Sequence, residues 1–186
     1  MKVVGLVAAK ENSNRFPNKN IYTVNGVPMF MNSVQPLLDS TKVDDVYVIT
    51  DSNFIKSYCH QHNIRVIWRP KNATRDEDKL ITILRYGYYS LDVEYDTIVS
   101  LMANCPGNST SDISTALHIK NKNNLKEVRG FDKNGVENGL IVLDKEIIQS
   151  NRDISYYLGG LVTRGSEIHS KGDLKRYKLK KYYENK

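Results

Sequence analysis

The feature that most constrains the fold is an apolar run of seven residues, Val3 to Ala9, close to the amino terminus. It is rich in valine and has no charged or polar side chain, which is typical of a β-strand buried on both faces. Strands of this kind belong to parallel sheets that helices cover on both sides. Further apolar runs alternate with helical periodicity over the first two thirds of the chain. We therefore predict an α/β fold with a doubly wound, mostly parallel sheet, in a single domain over residues 1–186.

The individual elements follow from apolar runs, helical periodicity, and cap and turn residues, including Asn-Gly pairs at 25–26 and 134–135. Three acids at 76–78 favour a helix start because they would lie at the positive end of the helix dipole. The strands are predicted at Val3–Ala9, Val46–Thr50, Val66–Trp68, Thr97–Met102, Glu127–Asp132, Leu140–Leu143 and Leu158–Thr163. The helices are predicted from Pro28 to Leu38, from the Asp51-Ser52 cap to His62, from Thr74 to Leu91, from Asp112 to Lys120, from Lys145 to Ser150 and from Lys171 to Tyr183.

Composition and charge exclude several classes of protein. The 186 residues are 40% hydrophobic and 26% charged, as in soluble globular proteins, and no apolar run is long enough to cross a bilayer. A buried first strand explains the amino terminus better than a signal peptide, so we expect a cytoplasmic protein. The only two cysteines, Cys59 and Cys105, are then expected to be reduced and structural. Residues 171–186 contain seven basic and two acidic residues, and thus five of the six net positive charges. The remainder is nearly neutral, so we expect a solvated terminal helix rather than a nucleic-acid-binding face.

The loop after the first strand concentrates basic residues. Lys10, Arg15 and Lys19 lie in one irregular segment among small and amide side chains, where the carboxyl ends of parallel strands form binding sites. Backbone N–H groups can wrap the oxygens of a triphosphate there, and Lys or Arg can neutralise the charge that builds on a pyrophosphate leaving group. The loops after Thr50 and Met102 are expected to form the other walls. A solvated basic loop without a ligand is the alternative that composition leaves open.

The order of residues in this segment, AKENSNRFPNKN, resembles a known signature. It is similar to the A-R-x-x-S-x-R-[LF]-P-x-K-N motif of the cytidylyltransferases that activate acidic sugars, with lysine at position 10 in place of arginine. The segments NGVPMFMNSVQPLL, DDVYVITDS and NGLIVLDKEII resemble further parts of the same family, so the resemblance covers most of the chain. The positions that match the first motif are Ala9, Ser13, Arg15, Phe16, Pro17, Lys19 and Asn20.

The resemblance implies a Rossmann-like nucleotide-diphospho-sugar transferase fold and an enzyme of nucleotide-sugar biosynthesis. Such an enzyme would transfer CMP from CTP to an acidic sugar, or a related small acceptor, and release pyrophosphate. By position, Lys10, Arg15 and Lys19 would hold the triphosphate. The other residues implied to bind the nucleotide are Ala8, Ala9, Asn12, Ser13, Asn20, Asp51 and Asn104. A turn-forming role before Pro106 is the alternative for Asn104.

A metal site is implied near the carboxyl terminus, where the family often has D-I-D and this chain has Glu167-Ile168-His169. Alternation along a strand would place Glu167 and His169 on one face, within reach of the same ion. Mg²⁺ is the expected cofactor, and the imidazole also admits Mn²⁺. The alternatives are an exposed edge position for His169 and a helix-cap role for Asp173.

The acceptor site is the least defined part of the sequence. The family usually carries an extension before the segment that begins at Asn138, which forms a dimer and supplies acceptor contacts, whereas this interval is short here. Arg129 is the internal candidate to bind an acidic group of the acceptor. The sequence leaves the formation of a homodimer open. Cys105 is expected to be a small buried residue and not a nucleophile, since it has no paired histidine.

Three other functions remain open on the sequence. A catalytically degenerate nucleotide-binding module would keep the loop but bind nucleotide without metal. A sugar-1-phosphate nucleotidyltransferase would use another nucleoside triphosphate. Binding of nucleic acid through the basic terminal helix is the third and would be sensitive to salt.

Overall fold

The first apolar run forms an interior strand of a seven-stranded sheet in the computed structural model, which describes residues 1–11, 16–24, 26–70, 79–150 and 157–184. The strands are β1 (Val3–Ala8), β2 (Thr23–Val24), β3 (Val27–Pro28), β4 (Asp45–Thr50), β5 (Arg65–Trp68), β6 (Thr97–Leu101), β7 (Glu127–Phe131), β8 (Glu137–Asp144) and β9 (Leu158–Val162). The helices are α1 (Met31–Leu38), α2 (Asn53–Gln61), α3 (Leu80–Tyr89), α4 (Thr110–Lys122), α5 (Lys145–Gln149) and α6 (Lys171–Glu184).

The order of strands in the large sheet is β5-β4-β1-β6-β8-β7-β9. Only the pairs that involve β8 are antiparallel, and the other four neighbouring pairs run parallel. The prediction of a mostly parallel α/β sheet is therefore confirmed. Because β1, β4, β5 and β6 are parallel, the loops that follow them emerge at one edge of the sheet.

Helices cover both faces of this sheet, as the buried first strand requires. Val3 and Val7 of β1 pack on one side with α1, α2 and α4, whereas Val4 and Leu6 pack on the other side with α3 and α5. Leu6 has no exposed surface, and burial of a leucine side chain stabilises the fold by about 1.5–3 kcal/mol. Among the described residues, no helix has the length and apolar character needed to cross a bilayer.

Side-chain caps fix the starts of three helices at their predicted positions or close to them. The Ser52 hydroxyl accepts a hydrogen bond from the Ile55 amide (3.4 Å), which confirms this residue as the cap of α2. Ser109 and Asp112 form a reciprocal capping box at α4, so this helix begins at Thr110, two residues earlier than predicted. The Asp144 carboxylate caps α5 by accepting from the Glu146 amide (3.1 Å).

Two predicted helix starts are wrong. Pro28 does not open α1 but pairs within a two-stranded ribbon formed by β2 and β3, and α1 begins at Met31. The predicted helix from Thr74 begins instead at Leu80, because Lys79 has an extended backbone (φ −62°, ψ 148°). The acids at 76–78, on which the earlier start depended, lie outside the described residues.

A third, smaller apolar cluster ties distant segments together at the carboxyl edge of the sheet. Phe16 from the first loop and Met29 after the ribbon contact Ile168 and Leu174, which lie before and within α6. Ile168 has no exposed surface. The cluster therefore brings the segment of Glu167 and His169 next to the first loop, although about 150 residues separate them in sequence.

Gly139 in β8 is required where the β6 loop crosses this strand. Its φ is +80°, and a Cβ atom built on it would lie 2.7 Å from Cys105 Sγ and 2.8 Å from Met102 Cβ. The Met102 amide also donates a hydrogen bond to the Gly139 carbonyl (3.0 Å). The backbone of β8 thus supports the loop that follows β6.

Gly139→Ala and Gly135→Ala form a matched pair of substitutions. Both glycines have a positive φ (+80° and +79°), but no atom lies within 4 Å of a Cβ built at Gly135. Gly135→Ala should lower the free energy of unfolding by about 1 kcal/mol through backbone strain alone. Gly139→Ala should cost about 1–3 kcal/mol more, since Cys105 and Met102 must move. Urea denaturation measures both, and equal losses would contradict the close approach.

Candidate active site

A cavity of about 260 Å³ lies at the carboxyl ends of β1, β4, β5 and β6. This is the position at which doubly wound sheets bind ligands. Its lining combines charged and polar residues with apolar ones. The basic and polar residues are Lys10, Lys19, Asn20, Thr50, Asp51, Arg69 and Asn104, and the remaining lining residues are Ala8, Ala9, Ile49, Leu80, Ile83, Met102 and Ala103.

The first loop delivers Lys10 and Lys19 to this cavity by two local devices. Asn18 adopts the left-handed conformation (φ 58°), which asparagine tolerates, and turns the chain into a short 3₁₀ helix at Lys19–Ile21. Asn20 is 4% exposed, and its amide donates to the Lys10 carbonyl (2.8 Å), so the two lysine-bearing segments are joined. Among the described residues, the buried Asn20 Oδ1 has no hydrogen-bond partner.

The middle of the first loop lies outside the described residues. Asn12, Ser13 and Arg15, which the resemblance assigned to the triphosphate, belong to this part, and their assignment stays a prediction. The segment before them is anchored, because the Asp51 carboxylate after β4 accepts a hydrogen bond from the Glu11 amide (2.7 Å). Asp51 thus supports the loop in addition to lining the cavity.

Arg69 brings a basic residue to the cavity that the sequence reasoning missed. It follows β5 directly, is 4% exposed, and its amide donates to the Thr50 carbonyl (2.9 Å). The signal was present, because Arg69 stands at the carboxyl end of a correctly predicted strand. The sequence predicts walls only from the loops after β1, β4 and β6.

Asn104 connects the cavity to the segment before α6. Its side-chain amide donates to the Ile168 carbonyl (3.2 Å), and its own carbonyl accepts from the Ile168 amide (2.9 Å). These two bonds fix the backbone between Glu167 and His169 against the loop that follows β6. Asn104 is 5% exposed and also lines the cavity.

Glu167 and His169 lie together, though not for the predicted reason. Residues 165–169 do not form a strand, so alternation along a strand is wrong, and the bonds to Asn104 orient the segment instead. His169 Nε2 lies 2.8 Å from Glu167 Oε1, and both side chains are about 30% exposed. The Nδ1 atom of His169 is buried without a partner among the described residues.

At this distance the two groups form a direct hydrogen bond or ion pair, and the same spacing would fit two ligands of one metal ion if Nε2 carried no proton. Adjacent ligands at about 2.0–2.1 Å in an octahedral Mg²⁺ site lie about 2.9 Å from each other. The described residues contain no group of three or more His, Cys, Asp or Glu side chains that could hold a metal. Two protein ligands suffice where substrate phosphates and water complete the shell, which is how Mg²⁺ is usually bound.

Asp173 acts in the cap of α6. Its carboxylate accepts from the Ser170 hydroxyl (2.8 Å) and the His169 amide (3.1 Å), and its amide donates to the Ser170 hydroxyl (3.2 Å). An ion pair with Arg176 adds a further contact. These bonds lower the pKa of the Asp173 carboxyl, with the Ser170 hydroxyl as the main cause.

Arg129 is not among the residues that line the cavity. On β7 its guanidinium donates to Glu127 Oε1 (2.6 Å) and to both oxygens of Glu137 (2.8 and 2.9 Å). The side chain is 20% exposed. The guanidinium that the sequence predicts to bind an acidic acceptor is therefore already paired with two carboxylates.

Cys105 is buried, at 1% exposure. Burial raises the pKa of its thiol well above the ordinary value of 9.0, the Glu167 carboxylate raises it further, and the Lys19 ammonium counteracts them. Burial likewise raises the pKa of Cys59 to about 12. Neither thiol is activated, in agreement with the expected structural role.

Comparison with known proteins assigns the chain to a family. A family model described as Cytidylyltransferase matches residues 4–160, which is most of the chain, and the protein belongs to this family. The CMP-N,N'-diacetyllegionaminic acid synthase of Legionella pneumophila is 26% identical over 123 residues, which are 64% of this chain and 53% of that protein. The chain spans about a third to about three fifths of the length of the curated relatives it matches.

Solved structures agree on the fold. A CMP:2-keto-3-deoxy-manno-octonic acid synthetase complexed with CTP superimposes with a TM-score of 0.81 at 14% identity, covering 99% of this chain and all of that one. A Mycobacterium tuberculosis H37Rv protein in complex with manganese gives 0.70 at 10% identity, covering 97% and 99%. The Rossmann-like nucleotidyltransferase fold is thereby confirmed.

The buried thiols generate a direct prediction. In the native protein at pH 8, neither Cys59 nor Cys105 should react with a thiol reagent such as 5,5′-dithiobis(2-nitrobenzoate), because both are buried and stay protonated. Two thiols per chain should react once urea unfolds the protein. Rapid reaction of Cys105 in the native state would contradict its burial behind Lys19 and Glu167.

Proposed function

We propose that the protein is a nucleotidyltransferase that transfers CMP from CTP to an acidic sugar of the nonulosonic or octulosonic acid class and releases pyrophosphate. The observation that carries this proposal is the cavity that Lys10, Lys19 and Arg69 line together with apolar residues. A nucleoside triphosphate has the complementary parts, a polyanionic chain and a planar base. Membership of the cytidylyltransferase family supports cytidine as the nucleoside, and we infer one such domain over residues 1–186.

The triphosphate would lie along the basic residues of the cavity. Lys10 and Lys19, together with Arg15, would neutralise its oxygens, and the amides around Asn12 and Ser13 would wrap them. The ribose and base would contact the apolar lining residues Leu80, Ile83 and Met102, with Arg69 beside them. The unsatisfied Asn20 Oδ1 supports a donor group of the nucleotide at that point. The remaining contacts would come from Ala8, Ala9, Asp51 and Asn104.

Glu167 and His169 would hold a divalent cation, with Mg²⁺ expected and Mn²⁺ as the second choice. The 2.8 Å separation of their ligand atoms supports this assignment, and phosphate oxygens would supply further ligands. When bound, the ion would neutralise charge on the reacting phosphate. An imidazole in place of a carboxylate weakens the site for Mg²⁺ and moves it towards softer metals, which is why Mn²⁺ is the second choice.

The chemistry is a substitution at the α-phosphorus. An acceptor hydroxyl forms a new O–P bond and loses its proton, the Pα–O–Pβ bridge breaks, and the electron pair leaves with pyrophosphate. Lys10 and Lys19, which line the cavity, would stabilise the charge that develops on this leaving group. The chain needs no covalent intermediate, which accords with two unactivated thiols.

The acceptor class rests on the relatives, one of which is named for legionaminic acid. Recognition of its carboxylate by Arg129 requires an ion pair with Glu127 or Glu137 to open. A cytoplasmic location and a homodimer remain predictions. Turnover without an acidic acceptor would favour the sugar-1-phosphate alternative.

The test is pyrophosphate release from CTP with a panel of nonulosonic acids, 3-deoxy-manno-octulosonate and sugar phosphates, in Mg²⁺ and in Mn²⁺. We expect release with at least one acidic sugar and a product that contains CMP, identified by mass spectrometry. Chelation of the metal should abolish release. Absence of turnover with every acceptor in both metals, together with metal-independent CTP binding, would leave a nucleotide-binding module instead.

Lys19→Met should weaken CTP binding by about tenfold or more, because a charged hydrogen bond to phosphate contributes about 1.5–3 kcal/mol. Lys42→Met serves as the matched control, since Lys42 is exposed and does not line the cavity. Isothermal titration gives the dissociation constants, and thermal shifts with CTP, UTP, GTP and ATP give the base preference. Equal effects of the two substitutions would remove Lys19 from the site.

A further inference from the structure

A buried polar junction links three segments beside the candidate active site. The Thr163 hydroxyl donates to Asn108 Oδ1 (2.6 Å) and accepts from the Asn138 side-chain amide (2.6 Å) and from the Gly165 amide (3.3 Å). The Asn108 amide closes the circuit by donating to the Asn138 carbonyl (3.2 Å). Thr163, Asn108 and Asn138 are 7%, 5% and 1% exposed, so water does not compete for these bonds.

The junction lies at the entrance of the segment that carries Glu167 and His169. Thr163 directly follows β9, and its hydroxyl turns the chain by binding the Gly165 amide. Gly165 allows the close approach, since a Cβ there would lie 2.7 Å from the Asn108 amide group. One hydroxyl therefore fixes where residues 164–169 leave the sheet.

Beyond the junction, the segment is held by two backbone contacts to the β6 loop. The Ser166 amide donates to the Pro106 carbonyl (3.0 Å), and the Ile168 amide donates to the Asn104 carbonyl (2.9 Å). The side chains of Glu167 and His169 alternate with these anchored positions. The positions of the Glu167 and His169 side chains therefore depend on how their segment aligns with the β6 loop. Asn108 in the β6 loop and Thr163 at the start of the segment fix this alignment.

We propose that Thr163 is a positioning residue for the transfer reaction, whose hydroxyl holds Glu167 and His169 in register with the loop after β6 through Asn108 and Asn138. The role of Thr163 in transfer rests on the proposed function. Removal of the hydroxyl leaves Asn108 Oδ1 and the Asn138 amide unpaired in a buried site, which favours local opening of the segment. The residues that line the nucleotide cavity do not include this junction, so the affinity for CTP in the absence of divalent metal is independent of it.

The experiment compares Thr163→Val, which removes the hydroxyl at similar shape, with Thr163→Ser, which keeps it. Asn108→Ala removes the acceptor of the same hydroxyl and should behave like Thr163→Val. Thr97→Val is the matched control, because Thr97 is also buried but lies at the amino end of β6, on the opposite edge of the sheet. Hydrogen–deuterium exchange, CTP affinity and steady-state kinetics are measured on each full-length variant.

In Thr163→Val, exchange of the Ser166 and Ile168 amides should rise about tenfold, which corresponds to about 1.4 kcal/mol of lost local stability. Their acceptors, the carbonyls of Pro106 and Asn104, are untouched by the substitution. The value of kcat should fall about tenfold, while the dissociation constant for CTP measured without divalent metal stays within about twofold. Thr163→Ser should restore both exchange and kcat, and Thr97→Val should change neither.

Unchanged exchange at Ser166 and Ile168 in Thr163→Val and Asn108→Ala would overturn the proposal. So would raised exchange with an unchanged kcat, since the segment would then be held without consequence for transfer. Failure of the wild-type protein to turn over would overturn the proposed function and the role in transfer together. Normal wild-type turnover with unaffected variants would overturn the positioning role alone.

Discussion

Burial of β1 on both faces is the constraint on which the rest of the structure depends. Val4 and Val7 lie on opposite faces of the strand and pack in different cores, so helices must cover both sides of the sheet. Parallel neighbours on either side, β4 and β6, then require crossover connections through those helices. The consequence is that the loops after β1, β4, β5 and β6 converge, and a cavity forms from residues that are distant in sequence.

Elements that a local signal specifies could be predicted from the sequence. Apolar runs and turn residues identified all seven strands of the large sheet, and Ser52 marked the start of α2 correctly. Prediction failed where tertiary contacts override local signals. Pro28 suits the first turn of a helix, yet it pairs with Thr23 in the ribbon, and the extended backbone of Lys79 delays α3.

The candidate site divides in the same way. Lys10 and Lys19 stand in one short motif, and the structure brings them into one cavity. Arg69 also stands at the end of a strand, but it is not among the residues predicted from the sequence. The proximity of Glu167 and His169 was expected from strand alternation, whereas it depends on the bonds between Asn104 and Ile168. Only long-range contacts reveal such a cause, and the same holds for the two carboxylates around Arg129.

The third apolar cluster gives these long-range contacts a common origin. Ile168 is fully buried against Phe16 and Met29, so hydrophobic burial draws the segment before α6 towards the first loop. Hydrophobic contact is not directional and cannot by itself orient the two flanking side chains. Hydrogen bonds from Asn104 and Thr163 supply that orientation. Apolar burial therefore joins the basic loop to the Glu167–His169 pair, and buried amide groups align the two. For this reason the asparagines at 104, 108 and 138 are as important to the geometry as the charged residues themselves.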